Sequence, residues 1–579
     1  MEYKVKFMNQ SREISVTGGT LAEACQAAGF PLNLICGGKG TCGKCAVTVE
    51  RNGQKEKVLA CKTMVEQDEM VYLTEEDYVH NGNVLTDSRL ADVAKNPSIK
   101  KVYYTKEELT PEHCGSFFTG VAIPVMRKFA AMSSDFSFVG ATFVYFDDKI
   151  LDIQNGDTTK ECYGAAIDIG TTTVAAYFYD LLTGSLISVK SALNKQIVHG
   201  ADVITRNVFS QEKEENLIEM RSLIQETINN MFQEAESERE GLLANLYHVV
   251  LCGNSTMQHL FFGFNPANLG ISPFVNITAE SVRSNGKEAG LDCAEEAMIE
   301  FLPLLGGFVG ADTTAVLTNL QKEDAKYLMV DLGTNGEIAV GNKTKYLVSS
   351  TACGPALEGG NIACGMRGTD GAIEKISLEN DQVKIQVIGN QEAKGLCGSA
   401  IIDAVSELRR VGMIDDGGGL ITREDYEKVH PGSELAKHLG EVEEFNTAFY
   451  FTEGENPVYI CQQDVRQIQL AKSSIYSGCM ILLSEYGLTP NDVDALILSG
   501  AFGNYIDIDN ALSIGLLPAV PRERIMSIGN GAGQGVQTLL LDSSYREKIN
   551  NIPETTTHVE LADHPSFMEE YIMNMNFYN

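Results

Sequence analysis

The sequence is short of several things, and each shortage removes a class of function. No apolar run is able to cross a bilayer: the most apolar stretch, around Phe301 to Val309, is far shorter than the ~20 residues a spanning helix needs. The opening Met1-Glu2-Tyr3-Lys4-Val5-Lys6-Phe7 lacks the apolar core of an export signal, so a cytoplasmic location is expected. Positive charge is scarce, with 45 Lys and Arg against 78 Asp and Glu. The net charge of -33 opposes nonspecific binding to nucleic acid or to anionic membrane, because both are polyanions. There is no low-complexity tract and no G-x-x-x-x-G-K-[ST] run, which argues against a disordered scaffold and against a P-loop nucleotide site.

What is present is glycine-rich globular sequence. At 579 residues, 44% of them hydrophobic, the chain is too long for one core and divides into roughly three to five folding units. Of fourteen cysteines, Cys36, Cys42, Cys45 and Cys61 fall within 26 residues, and the others are dispersed. In a reducing compartment the dispersed ones read as small buried hydrophobes with free thiols.

Period-2 alternation predicts a hairpin from residues 2–7 and 12–16 and further strands over Ala46 to Glu50, Lys57 to Ala60 and Met70 to Leu73. With a short helix over Leu21 to Ala28, these make a β-rich unit over residues 1–76. Residues 77–98 are polar and weakly periodic, as suits a linker. A small α/β middle domain is expected over 99–157, from strand-like Lys101 to Tyr104 and Phe138 to Phe146 and a helix over Val125 to Met132. From 158 to 579 apolar strands alternate with helices such as Leu217 to Ala235, an α/β architecture. Within it Ala166-Ile167-Asp168-Ile169-Gly170-Thr171-Thr172-Thr173 is repeated as Val330-Asp331-Leu332-Gly333-Thr334-Asn335-Gly336, offset by 163 residues, the trace of a duplication.

The clustered cysteines place three thiols on one loop and the fourth, Cys61, sixteen residues past Cys45. Four thiolates are what a [2Fe–2S] cluster requires, and the spacing is close to the plant-type ferredoxin C-x4-C-x2-C. Glycines 37, 38, 40 and 43 let the backbone aim N–H groups at cluster sulfurs. The competing readings are a four-cysteine zinc site, which usually shows two short-spaced pairs, and a set of unligated thiols. Residues 1–76 carry nine Lys and Arg against ten Asp and Glu, so the acidity of the chain lies elsewhere. An electron donor then recognises this module by shape more than by charge.

In the first repeat an apolar strand ends in Asp168, turns at Gly170 and presents hydroxyls at Thr171, Thr172 and Thr173. A carboxylate there can hold Mg²⁺ through water while glycine and threonine N–H and OH groups face phosphate oxygens, as ATP requires. Asp331, Gly333, Thr334, Asn335 and Gly336 provide the facing loop. One such turn is an ordinary hairpin as often as not; two copies carry the argument. A third element, Ala495 to Ser499 running into Gly500 and Gly503, offers small residues where an adenosine can approach the backbone, or else a tight strand-to-helix turn. The run Gly529 to Gly535 mimics a dinucleotide loop, but its spacing departs from G-x-G-x-x-G.

Together these residues resemble the ATP-dependent reductive activators of corrinoid proteins, in which a ferredoxin-like domain is joined to an actin/Hsp70-like (ASKHA) domain. The resemblance also rests on Gly200 to Arg206, Gly253 to Met257, Gly306 to Asp312, Gly354 to Gly359, Gly395 to Ser399 and Gln469 to Lys472, and it spans the chain. It implies a multidomain α/β protein with a β-grasp ferredoxin-like domain and a duplicated ATPase domain. The implied activity is reduction of the cobalamin of an anaerobic methyltransferase system from Co(II) to Co(I). The implied cofactors are a [2Fe–2S] cluster, ATP and Mg²⁺; the partners are a corrinoid protein and a low-potential electron donor, and a homodimer is compatible with both. Ser399 is a candidate for touching the corrin, against a competing role capping a helix over Ala400 to Arg410. Asp202, Arg206 and Asp312 either order the nucleotide cleft or serve as caps and structural ion pairs. A metabolite kinase on the same fold and a redox sensor locked by ATP are the rival functions.

Overall fold

A computed structural model describes residues 3–9, 12–28, 30, 32, 45–51, 53–73, 94–109, 118–200, 202–320, 324–333, 335–366, 368–443, 446–500 and 505–577. Cys36, Cys42, Thr334 and Gly503, and most of the segment expected as a linker, fall outside the described residues.

Alternating apolar residues build the first unit. Val5 and Phe7 on the strand Tyr3–Phe7, and Val47 and Val49 on Ala46–Arg51, point to one face at a two-residue period and are buried there. The sheet runs Arg12–Val16, Tyr3–Phe7, Glu69–Tyr72, Ala46–Arg51, Gln54–Leu59. Tyr3–Phe7 and Glu69–Tyr72 are parallel and the remaining pairs antiparallel, with the helix Leu21–Ala27 supplying Leu21, Ala22, Ala24 and Cys25 to the same core. This is a β-grasp arrangement, the fold that the family resemblance implies.

Strands Ile99–Thr105, Gly140–Phe146 and Lys149–Asn155 form a small antiparallel sheet under the helix Ile123–Ser133, which opens on Pro124. Its central strand works on both faces. Ala141 and Phe143 pack toward the helix, whereas Val144 and Phe146 join the core of the larger unit that follows. Arg546, on the helix Tyr545–Thr555, fastens the two together. It donates to Glu300 Oε2 at 3.0 Å, to Asp147 Oδ2 at 2.7 Å and to Ser98 Oγ at 2.8 Å, and lies over the Phe146 ring. The end of the segment expected as a linker is therefore pinned: Asn96 N donates to Leu541 O at 3.0 Å and Asn96 O accepts from Ser543 N at 2.9 Å.

The larger unit is two lobes on two six-stranded sheets. The first runs Ser185–Leu193, Thr173–Asp180, Tyr163–Ile169, Leu246–Gly253, Met298–Phe301, with Val282–Asn285 at its edge. The second runs Lys345–Thr351, Gly336–Asn342, Tyr327–Leu332, Ala495–Ser499, Ile525–Ser527, with Thr556–His558 added beside Lys345–Thr351. In each, three antiparallel strands are followed by two parallel ones, in the spatial order third, second, first, fourth and then one later strand, the edge strand Val282–Asn285 of the first sheet preceding that last one in the chain. The order repeats as the sequence motif does, and it sets each motif at the end of the central first strand. One element changes lobes: the helix Gly531–Leu541 follows the last strand of the second sheet, yet Val536, Leu539 and Leu540 pack into the core of the first with Ile167 and Val250.

Candidate functional site

Each repeated motif is a tight turn between two strands of a hairpin. In the first, Gly170 N donates to Thr173 O at 3.1 Å, and a Cβ on Gly170 would meet that oxygen at 2.5 Å, so the turn excludes a side chain there. The turn is bonded on all sides. Thr171 O accepts from Arg206 Nη2 at 2.6 Å and Thr171 Oγ1 from Asn254 Nδ2 at 2.9 Å. Gly170 O accepts from Asn194 Nδ2 at 3.0 Å and Thr172 O from Asn194 N at 2.9 Å. Asp168 Oδ2 accepts from Asn530 Nδ2 at 2.9 Å, while Oδ1 faces the Cys252 thiol at 3.6 Å.

The second turn has different supports among the described residues. Asp331 Oδ2 accepts from Ser499 Oγ at 2.7 Å, Gly333 N donates to Asn335 O at 3.1 Å, and Gly333 O accepts from Cys353 Sγ at 3.4 Å. Gly336 opens the returning strand. Gly500, at φ +91°, lies against Asp331, where a Cβ would come within 2.6 Å of Oδ1. The strand–glycine element thus touches the second carboxylate.

Burial dominates the electrostatics. It carries the Asp168 carboxyl up to about 6, with Asn530 opposing and Asp331 adding to the rise. It carries Asp312, in the first turn of the helix Ala311–Thr318, up to about 7, helped by Asp331 and Asp168. Asp331 is raised by burial with Ser499 opposing, and Glu337 is held well above the usual carboxylate range by burial, Asp312 and Asp331. Four acids from both lobes therefore feel one another, a setting that favours a bound cation. Arg206 is wholly buried and lowered to about 10 by that burial, so it remains a cation facing the first turn. Asp202 caps the helix Val203–Glu212, accepting from Thr205 N at 2.8 Å, as the capping alternative held. Asn194, Asn254, Asn530 and Glu337 are the site residues that sequence reasoning missed. Two of them lay inside runs already singled out, Gly253 to Met257 and Gly529 to Gly535. That second run is a capped helix start, and its Asn530 touches Asp168.

In the first domain Cys45 and Cys61 are buried with their sulfurs 3.1 Å apart, well beyond the ~2.05 Å of a disulfide. Two buried thiols at one point, not joined as a disulfide and flanked by strand ends, fit half of an iron–sulfur ligand set. Ser399 lies in the first turn of the helix Gly398–Arg410, whose N-cap is Cys397. Its Oγ donates to Glu374 O at 2.8 Å and does not cap the helix. It lines a cavity of about 300 Å³ with Lys375, Asp403 and Tyr505.

A β-grasp domain with a buried thiol pair, joined to duplicated lobes whose matching carboxylate turns face one cleft, defines an iron–sulfur protein fused to an ASKHA-type ATPase. The comparisons agree. Residues 6–66 match the 2Fe-2S iron-sulfur cluster binding domain, residues 163–323 the RACo middle region, and residues 325–579 the C-terminal ASKHA domain of RACo. The corrinoid activation enzyme RamQ of Eubacterium limosum is 41% identical over 598 residues, 99% of each chain. The [Co(II) methylated amine-specific corrinoid protein] reductase of Methanosarcina barkeri is 24% identical over 451 residues, 72% of this chain and 77% of that protein. A solved reductive activator for corrinoid, iron-sulfur protein superposes with a TM-score of 0.74 at 27% identity, covering 100% of this chain and 98% of that one. The chain belongs to the RACo family of reductive activators.

Proposed function

We propose that the chain uses ATP to reduce the Co(II) corrinoid of a partner protein in an anaerobic methyltransferase system to Co(I), with electrons taken from a low-potential cytoplasmic donor. A homodimer is compatible with this work. The observation that carries the reading is the pairing in one chain of a buried thiol pair with two matching carboxylate turns. When bound, a [2Fe–2S] cluster at Cys36, Cys42, Cys45 and Cys61 supplies a one-electron carrier. Asp168 and Asp331 orient Mg²⁺ and the attacking water around the ATP phosphates. Hydroxyl and backbone N–H groups of Thr171, Thr172, Thr173, Thr334, Asn335 and Gly336 bind the phosphates, while Gly170 and Gly333, whose N–H groups close the turns onto Thr173 O and Asn335 O, let the phosphates approach the backbone. Gly500 and Gly503 are assigned to admitting the adenosine, and Ser399 to contacting the corrin from its cavity.

A plant-type cluster sits near about -400 mV, and for one electron each ~59 mV uphill costs roughly 1.4 kcal/mol, so a gap of ~200 mV needs about 5 kcal/mol. ATP supplies that only by favouring one arrangement of lobes and partner over another. Closure of the cleft between the two turns is that arrangement. The test is anaerobic incubation with a Co(II) corrinoid protein and a reductant, with and without ATP, followed by absorption. A Co(I) band that requires ATP is expected. A band of equal size without ATP sinks the coupling, and turnover of a metabolite hydroxyl by ATP would favour a kinase instead.

A further inference from the structure

Asn530 is the only residue from the last fifty that bonds an acid of the first turn among the described contacts, and it does so from an unusual place. The segment leading to it belongs to the second lobe: Ile528 N donates to Leu498 O and Gly500 N donates to Gly529 O, both at 2.9 Å. The helix it opens belongs to the first lobe. Asn530 thus stands where the chain crosses between lobes, one residue past a glycine bonded to Gly500, which itself packs on Asp331.

Its amide has no freedom of orientation. Oδ1 accepts from Gly533 N at 2.7 Å, and a backbone N–H can only donate, so the NH₂ group must point the other way. There it meets Asp168 Oδ2 at 2.9 Å and the Tyr177 hydroxyl at 3.4 Å. The helix cap and the carboxylate contact are therefore two ends of one rigid group. A cap alone is served as well by Asp or Ser, so the choice of Asn at this cap is explained by the second contact.

We propose that Asn530 is the positioning residue for Asp168, fixing the rotamer in which that carboxylate faces the nucleotide from the point where the two lobes are joined. The inference rests on Asp168 acting in ATP hydrolysis. The test compares full-length N530S and N530D, which keep a cap acceptor for Gly533, with D168N. Ser is too short to reach Asp168, and Asp sets a carboxylate against it. Expected are melting temperatures like that of the parent chain, equilibrium MgATP binding little changed by calorimetry in N530S, and kcat for ATP lowered about 10- to 100-fold with KM unmoved, N530D being the worse. A purely capping residue would leave kcat in both variants at the parent value, and that result overturns the inference. Loss of fold in both, with the cap retained, would make the contact structural and overturn it equally. Should D168N itself keep full ATPase, the reading of the site fails first, and that outcome is distinct from inactive D168N beside active N530S.

Discussion

The two carboxylate turns share a motif and a place in the fold, yet they are held in opposite ways. The first is gripped by large polar groups, Arg206, Asn194, Asn254 and Asn530, drawn from four separate segments. Among the described residues the second is met by Ser499 and Cys353 and by the close approach of Gly500. A turn over-determined by buried amides and a guanidinium has one arrangement, because moving it would strand several buried donors and acceptors at about 1 to 3 kcal/mol each. Duplication preserved the matching acids and let the described supports around them diverge, which makes the relative rigidity of the two turns a testable matter.

The largest effects belong to the acids themselves, where the two turns should behave alike. Asp168→Asn and Asp331→Asn are each expected to lower ATPase about 1000-fold, with the visible absorption of the iron–sulfur module intact. ATP-dependent corrinoid reduction surviving in either variant would break the symmetry of the pair and the coupling with it. Arg206→Met should then separate them. Removing the guanidinium leaves the Thr171 and Gly200 carbonyls without their donor in a closed site, so local opening of residues 170–173 should become easier by about 3 kcal/mol. Amide hydrogen exchange reads this directly. Protection equal to that of the parent chain would show that the first turn does not depend on its buried cation.

Much of this was legible in sequence because it was local or repeated. The β-grasp strands alternate, the cysteine spacing is a ligand spacing, and the copy of the Asp168 turn at Asp331 anticipated the doubled strand order. What sequence hid was held by partners far apart along the chain. Asn530 and Asp168 are 362 residues apart, and Arg546 and Asp147 are 399 apart. Such pairs leave no periodicity to read, so the crossover helix looked like a poor dinucleotide loop, and the small middle sheet had no visible purpose. Ser399 shows the same limit at shorter range. A hydroxyl beside a helix start reads as a cap, but a carbonyl on the strand Ala372–Glu379 takes it instead.

Ser499→Ala sharpens the contrast from the weaker side. The hydroxyl is buried and donates to Asp331 at 2.7 Å, so its loss removes a bond to a charged group worth about 1.5 to 3 kcal/mol when made. A fall in ATPase of about tenfold is expected, less than for any variant that frees the first turn. Cys353→Ala should be smaller still, about 1 kcal/mol, since a thiol is a weak donor and the loss is that of one small buried sulfur. Steady-state ATPase and exchange protection of residues 331–336 would rank the two. Should Ser499→Ala instead match Arg206→Met in the protection lost, the second turn would be as rigid as the first, and closure would have to come from the crossovers between lobes.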